Sequence, residues 1–163
     1  MERIIEKSND ILSKQLSWIS AADSKVSPIF AIDTIMLGVL AALTPLIANW
    51  TIFSAIITTL SVIPLITSII FLALATFPRL SGPKGSYIYF GGIITKSENT
   101  YVNDMININD DVFLKDILSQ TYRNAEIAHS KFNHIKKAMA LTFICLPIWL
   151  LAVWVLYKIK ITI

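Results

Sequence analysis

Apolar residues along this chain fall into three long runs, separated by one very short link and one long polar region. The runs cover Ile29–Ala48, Ile52–Phe77 and Ala138–Tyr157. A helix needs about 20 apolar residues to cross the hydrocarbon core of a bilayer, so each run is long enough to span a membrane. The link of residues 49–51 is uncharged and so short that the first two spans must form an antiparallel hairpin. Pro45 and Pro64 are candidate kinks in these spans.

The segment before the first span, residues 2–25, has the period of an amphipathic helix. Its charges are balanced, with four acidic and four basic residues. We therefore expect it to pack against protein rather than to lie flat on a membrane surface. Pro28 marks a bend between this helix and the first span. The apolar residues recur every seven positions in two series, Ile5, Leu12 and Ile19 in one and Ile4, Ile11 and Trp18 in the other.

The polar region after the second span begins with a stretch that breaks helical order. Four glycines and a proline interrupt Leu80–Thr95. Its centre, Tyr87–Ile94, is rich in aromatic and β-branched residues, which predicts an extended segment or a loop. Ser97 then starts a short helix that ends near Ile108. Asn109 and the two aspartates after it are an N-cap signal for the next helix.

That next helix carries the most regular apolar stripe outside the spans. It runs without interruption into the third span and contains small residues that allow a partner helix to approach closely. The partner is either the N-terminal helix or a second copy of the chain, so the stripe predicts a homo-oligomer. Its residues are spaced alternately four and three apart: Leu114, Leu118, Thr121, Ala125, Ala128, Phe132, Ile135 and Met139.

Composition agrees with a membrane protein. Of the 163 residues, 55% are hydrophobic and only 15% are charged, with a mean hydropathy of +0.64. The net charge of +3 is spread along the chain, which does not favour nucleic acid as a partner. Of the 14 lysines and arginines, twelve lie before the first span or between the second and third. The positive-inside rule places these regions, and the N-terminus, in the cytosol and the C-terminus outside.

The predicted fold class is an all-α membrane protein with three transmembrane helices, an N-terminal amphipathic helix and a cytosolic helical module that contains a short extended glycine and aromatic segment. Residues 1–28 form the cytosolic amphipathic helix and residues 29–77 the transmembrane hairpin. Residues 78–137 form the cytosolic sensor and assembly region. Residues 138–163 form the third span and a short tail.

No set of residues in this sequence has the spacing of a catalytic or metal-binding site. His129 and His134 are five residues apart, which is not the usual spacing for two metal ligands on one helix. Gly91 and Gly92 belong to no phosphate-binding glycine motif. We therefore predict no enzyme activity, no metal site and no cofactor.

Four charged residues lie where helices meet the membrane or inside it. Asp23 and Lys25 precede the first span, and Lys131 precedes the third. They are either a structural ion pair or the lining of a site for an anion or of an ion path. Asp33 lies within the first span, where a carboxylate costs about 2.5–3.5 kcal/mol and faces protein or water rather than lipid. It either lines a pore or meets a hydroxyl in the bundle: Thr34, Thr58 or Thr59.

Three patterns in this order around three spans resemble the transmembrane effector family of Pycsar antiphage systems. The first is "W…AADSK", Trp18 to Lys25. The second is "YIYFGG", Tyr87–Gly92, followed by a helix start with Ser97, Glu98 and Tyr101. The third is "QTYRNAEIAHSKFNHIKKA", Gln120–Ala138, which leads into the last span. Together they extend over nearly the whole chain.

This resemblance implies a bacterial inner-membrane effector that responds to a cyclic pyrimidine mononucleotide, cCMP or cUMP. A companion pyrimidine nucleotide cyclase would make that signal during phage infection. The effector would then disrupt the membrane as an oligomer and cause abortive infection. The alternative that the residues leave open is a non-enzymatic membrane scaffold or channel-like protein that recruits a partner through its cytosolic heptad helix. A third class, an integral membrane enzyme, is disfavoured because the sequence shows no activated nucleophile or metal set.

A cyclic mononucleotide offers one phosphate charge and a base with a π-face, and cytosolic residues of two kinds match these groups. Arginine is favoured for phosphate because its planar fork bonds two oxygens at once. The phosphate candidates are Arg79, Lys84, Arg123 and Lys131. The stacking candidates are Tyr87, Tyr89, Phe90 and Tyr122.

Overall fold

The structure, a computed structural model, describes residues 1–162 of the chain. These residues form helices and connecting loops, with no strand among them. Three helices in this range are long and apolar enough to cross a membrane, which confirms the predicted all-α fold class with three spans. Ile163, the last residue of the predicted tail, lies outside the described range. The elements are α1 (Glu2–Leu43), a 3₁₀ turn (Ile47–Asn49), α2 (Ile52–Thr76), α3 (Phe90–Ile93), α4 (Glu98–Ile106) and α5 (Asp110–Ile161).

Of the two prolines at the ends of the predicted first span, one lies within α1, and Pro45 does not act as predicted. α1 continues through Pro28 without a break, so the N-terminal amphipathic helix and the first span are one helix. α1 ends at Leu43, and Pro45 lies beyond it rather than kinking the span. The residue before a proline is disfavoured in α-helical conformation, which explains why the helix stops before Thr44. The second span was predicted from Ile52, where α2 begins.

The chain divides into two compact units, and α1 and α5 each contribute to both. The first unit, here called the polar unit, contains Met1–Ala22 and Phe77–Lys131. The second, here called the apolar unit, contains Asp23–Thr76 and Phe132–Ile163. The polar unit holds the loop between α2 and α4, and the apolar unit holds the segments with spanning length and hydropathy.

α1 has one inward face along its whole length. Its buried and half-buried positions follow each other at alternating intervals of three and four residues, the spacing of a coiled-coil seam. In the polar unit this face contains Leu12, which is buried, and Ile5 and Ile19, which are half-buried. The other predicted series points outward: Ile4, Ile11 and Trp18.

The inward face of α5 is displaced from the predicted stripe at every second position. Ile117 is 0% exposed, whereas its predicted neighbour Leu118 is 48% exposed. The same offset of one residue occurs further along the helix, where Asn124, Lys131 and Ala138 are buried. Asn124 and Lys131 are polar, so a search for apolar residues selects the neighbouring face. The predicted positions Thr121, Ala128 and Ile135 belong to both faces and are buried or half-buried.

Small residues let the helices of the apolar unit pack closely. Ser54, Ser61 and Ser68 recur every seven residues on α2 and are all 0% exposed. One cluster of buried apolar side chains joins the three spanning helices at Leu40, Ile57, Ala152 and Leu156, and a second joins them at Met36, Leu65 and Cys145. The outward-facing side chains are large and apolar, as lipid contact requires: Ile35, Ile63, Phe143 and Leu150 are examples.

The segment predicted as extended or a loop, Tyr87–Ile94, is bent at its start and then helical. The short helix α3 occupies Phe90–Ile93, and Tyr89 directly before it has extended backbone angles. In the turn before α3 the Ser86 hydroxyl accepts hydrogen bonds from the backbone N–H groups of Ile88 at 3.1 Å and Tyr89 at 2.9 Å, whereas Tyr89, the N-cap residue of α3, makes no side-chain cap. A serine that bonds the backbone in this way favours a turn over a strand.

The two predicted N-caps are confirmed. The Ser97 side chain accepts a hydrogen bond from the backbone N–H of Thr100 at 3.2 Å, and α4 starts directly after it. Asn109 Oδ1 accepts one from the backbone N–H of Asp111 at 2.8 Å, at the start of α5. α4 ends at Ile106, two residues before the predicted end.

Candidate functional site

The apolar unit contains a polar centre to which all three spanning helices contribute. Asp33 of α1 is 0% exposed. Its Oδ2 accepts a hydrogen bond from the Ser68 hydroxyl of α2 at 2.6 Å, and its Oδ1 accepts one from the Thr142 hydroxyl of α5 at 2.8 Å. Both oxygens of the carboxyl group therefore have a partner, as burial of a polar group inside a membrane requires.

The two hydroxyls have a second acceptor nearby. The Ala138 carbonyl oxygen lies 3.2 Å from the Ser68 hydroxyl and 3.1 Å from the Thr142 hydroxyl, and the two hydroxyls are 3.2 Å apart. The set is compact, so Asp33 lies at a helix–helix seam as expected. It links the helices through hydrogen bonds rather than through an ion pair.

The predicted partners of Asp33 are wrong. The Thr34 hydroxyl donates to the Phe30 carbonyl oxygen of its own helix at 2.8 Å, and Thr59 is exposed. The hydroxyl of Thr58 has no hydrogen-bond partner among the described residues. A sequence signal for the true partners existed in the heptad spacing of the α2 serines, which places Ser68 on the inward face.

The polar unit contains a second carboxylate that organises its surroundings. Asp116 Oδ2 on α5 accepts hydrogen bonds from the backbone N–H of Tyr87 at 2.6 Å and from the Ser86 hydroxyl at 3.1 Å. Ser86 is buried, and a Cβ atom at Gly92 would lie 2.5 Å from the Ser86 carbonyl oxygen. Only glycine fits at position 92, because the loop folds tightly around Ser86. The hydrogen bonds to Asp116 attach this loop to α5.

Tyr87 connects this loop to α4. Its carbonyl oxygen accepts a hydrogen bond from the Tyr101 hydroxyl at 3.0 Å, and Lys96 Nζ lies 3.7 Å from the centre of its ring. Lys96 also forms an ion pair with Asp104 at 2.8 Å. That hydrogen bond raises the pKa of Lys96 above its ordinary value of 10.5, although desolvation acts in the opposite direction.

The two predicted phosphate-binding arginines hold the loop onto α5. Arg123 Nε donates to the Ser81 carbonyl oxygen at 2.9 Å, and its other nitrogens bond the Ser81 hydroxyl and, at 2.9 Å, the Glu126 carboxylate. Arg79 donates to the Ser130 hydroxyl at 2.8 Å and to the Ile127 carbonyl oxygen at 3.5 Å. Both guanidinium groups therefore have protein partners.

The other predicted ligand residues do not form one group. The Tyr89 hydroxyl bonds the Leu80 carbonyl oxygen, and its ring lies 4.7 Å from that of Phe90. Phe90 and Tyr122 are exposed, and Lys131 is buried. Lys84 lines a cleft with Tyr87 and the first turns of α5.

The two charged residues just before the first span, Asp23 and Lys25, belong to the apolar unit. Asp23 is half-buried and Lys25 is exposed. Lys25 Nζ lies 5.2 Å from the centre of the Phe132 ring, close enough for a cation–π contact with α5. An ion-lining role for these two residues stays a prediction.

The apolar unit is a bundle of three spanning helices around the buried carboxylate of Asp33, and the polar unit carries a loop that is attached to α5. Together these features define a small integral membrane protein. A comparison with known families gives its identity at the family level. The model of the Pycsar effector protein domain matches residues 7–158. The chain therefore belongs to the Pycsar effector family, and it is an antiphage defence effector located in a membrane. Searches of curated proteins and of solved structures returned no match.

Proposed function

We propose that this protein senses a cyclic pyrimidine nucleotide, cCMP or cUMP, and then disrupts the bacterial inner membrane as an oligomer, which causes abortive infection. Its family membership supports a place downstream of a pyrimidine nucleotide cyclase. The N-terminus lies in the cytosol, where the nucleotide is made, because the basic residues concentrate on that side of the spans.

The observation that best supports this function is the continuity of two helices. α1 and α5 each contribute residues to the polar unit and continue into the apolar unit without a break. A ligand that alters contacts of α5 in the polar unit therefore acts on the same helix that carries Thr142 in the polar centre. No separate hinge or linker is needed to join sensing to the membrane.

Vesicle leakage tests this proposal directly. The purified protein is reconstituted into dye-loaded liposomes, and leakage is measured with cCMP, with cUMP, with cAMP and without nucleotide. We expect leakage that depends on one or both pyrimidine nucleotides and rises more steeply than linearly with protein density, because an oligomer forms the lesion. Equal leakage with and without every nucleotide would contradict the sensing role.

The scaffold alternative predicts a different outcome of the same experiment. A scaffold that recruits a partner would leave the liposomes intact under all conditions, and the exposed apolar residues Ile4, Ile11 and Leu118 would be its contact surface. In cells, coexpression with an active pyrimidine nucleotide cyclase, and with a catalytically inactive one as control, provides the matching growth assay. Growth arrest only with the active cyclase is the expected result.

A further inference from the structure

Two clefts of the polar unit share Tyr87 and Val112 in their walls. The first has a volume of about 190 Å³ and lies between the Pro83–Tyr87 loop and the first turns of α5. The second has a volume of about 380 Å³ and lies at the end of α4 and the turn into α5. The volume of the second cleft by itself lies within the usual range of about 300–1,000 Å³ for small-molecule sites.

The first cleft is lined by two lysines and one aspartate, so its positive charge exceeds its negative charge. Lys84 comes from the loop and Lys115 from α5, both are exposed, and neither forms an ion pair with any of residues 1–162. The Ser119 hydroxyl lies on the same wall. One carboxylate, Asp116, also lines this cleft, but its Oδ2 is occupied by Ser86 and Tyr87. Two ammonium groups and a hydroxyl suit a phosphate group.

The second cleft is lined by three asparagines and by the Asp104 carboxylate, which forms an ion pair with Lys96. Asn107 Nδ2 donates to the Asn103 carbonyl oxygen at 2.8 Å, which leaves Oδ1 of Asn107 to accept. Asn109 Oδ1 caps α5, which leaves its Nδ2 to donate. The exposed Asn103 side chain supplies both a donor and an acceptor. Such a set complements the polar edge of a nucleobase.

We propose that these two clefts form the nucleotide site, with the phosphate between Lys84 and Lys115 and the base edge against Asn103 and Asn107. The proposal rests on the function proposed above and names its location. Tyr87 stands between the two parts, and the free Asp116 oxygen accepts from a ribose hydroxyl, a common role for a carboxylate in nucleotide sites.

The location also indicates how binding acts on the protein. The ligand touches the Pro83–Tyr87 loop and α5 together, so it strengthens the attachment that the Asp116 bonds make between this loop and α5. Because α5 continues to Ile161, a shift of its first turns is a change in the helix that forms the third span. The nucleotide thereby acts as a brace between the loop and the helix.

Calorimetry on the full-length protein in lipid nanodiscs tests the site, with cCMP and cUMP as probes. The double variant Lys84→Ala/Lys115→Ala should bind the activating nucleotide about 100-fold more weakly, about tenfold for each lost charge-assisted hydrogen bond. The matched control is Lys7→Ala/Lys14→Ala, which removes the same charge from exposed positions of α1 in the same unit and should bind as the wild type does.

A second variant tests the base contact. Asn103→Ala should change the ratio of cCMP affinity to cUMP affinity by about tenfold, because the two bases differ in the donor or acceptor that an amide reads. Asn99→Ala, an exposed asparagine of α4 outside the cleft, should leave the ratio unchanged. An unchanged ratio in Asn103→Ala would overturn the base placement.

The remaining outcomes separate this location from the function itself. Undiminished binding in the double lysine variant, or an equal loss in the α1 control, overturns the site. A loss confined to Arg79→Gln or Arg123→Gln moves the site to the arginines at Ser130 and Ser81. If the wild type binds neither nucleotide, the proposed function fails together with the site.

Discussion

The two units each contain a carboxylate that accepts two hydrogen bonds, but they use it in different ways. Asp33 in the apolar unit is fully buried, and both of its partners are hydroxyls on packed helices. Asp116 in the polar unit lines an open cleft, and both of its partners belong to one loop. One carboxylate fastens helices to helices, whereas the other fastens a loop to a helix.

This difference follows from the solvent around each unit. Inside a membrane no water replaces a lost hydrogen bond. Breaking the hydrogen bonds of Asp33 is therefore costly, and these bonds keep the three helices packed together. Around the polar unit water can replace a lost hydrogen bond, so the part-buried loop attachments at Asp116 and Arg79 and the exposed one at Arg123 cost less to open than the bonds of Asp33. The polar unit is therefore the part that a soluble ligand can rearrange.

The largest effect is expected at the α5 seam of the polar unit. Ile117→Ala should lower the free energy of unfolding by about 2–5 kcal/mol, since it leaves a cavity at a fully buried position. The half-exposed Leu118 is the control. Leu118→Glu should preserve the fold and reduce oligomer size, because it places charge on the face left outside the protomer.

Thermal unfolding in mild detergent and native electrophoresis measure these two effects separately. The sequence alone suggested Ala125 and Ala128 as assembly positions, but Ala128 is buried within the protomer, so a bulky change there unfolds the chain rather than breaking assembly. If Leu118→Glu leaves the oligomer unchanged, the α5 face is not the interface.

The second effect tests how tightly the polar centre is closed. Asp33→Leu should cost about 1–3 kcal/mol, because the two hydroxyls lose their carboxylate acceptor and the larger side chain enters a filled site. Asp33→Asn should stay within about 1 kcal/mol of the wild type, since an amide can still accept from Thr142 and donate to Ser68.

Growth assays with the same variants then report on charge. If the Asp33→Asn variant folds and still arrests growth, the role of Asp33 is a structural hydrogen bond. If the variant folds but no longer arrests growth, the ionised form of Asp33 is needed for activity. Asp33→Leu that unfolds at the wild-type temperature and arrests growth normally would contradict both roles.

The third effect compares two glycines, one in each unit. Gly92→Ala should destabilise the polar unit by about 1–3 kcal/mol and abolish nucleotide response, because the new Cβ meets the Ser86 backbone. Gly38→Ala in α1 has open space around its Cβ and should be neutral or slightly stabilising. Melting temperature and nucleotide-dependent leakage are the measurements. Equal behaviour of the two variants would show that the loop tolerates displacement from Ser86.

The smallest effect concerns the half-buried ion pair of Lys96 and Asp104. The raised pKa of Lys96 means that the pair contributes its full stability below pH 10.5, and that this contribution is lost as the pH rises through the folded-state pKa. Asp104→Asn should therefore lower the melting temperature only slightly at pH 7–9, and the difference from the wild type should vanish at more alkaline pH. A difference that grows with rising pH would contradict this assignment.

The features that depend on local physics could be predicted from the amino-acid sequence. Run length and hydropathy gave three spans, and Ser97 and Asn109 marked two helix starts because capping involves only neighbouring residues. The period of seven placed Leu12 and Ile135 on inward faces. The position of Asp33 within an apolar run also predicted that it lies at a helix–helix seam, since a carboxylate in a span needs a polar partner.

Which side chains meet depends on the folded chain. The partners of Asp33 are 35 and 109 positions away along the chain, and although the heptad spacing of the α2 serines places Ser68 on an inward face, no local rule pairs it with Asp33 or selects Thr142. The inward face of α5 contains Asn124 and Lys131, whose burial depends on neighbours from other segments. The Lys84 and Lys115 cleft likewise exists only because Ser86 and Tyr87 bind Asp116, and such long-range polar contacts leave no periodic trace in the sequence.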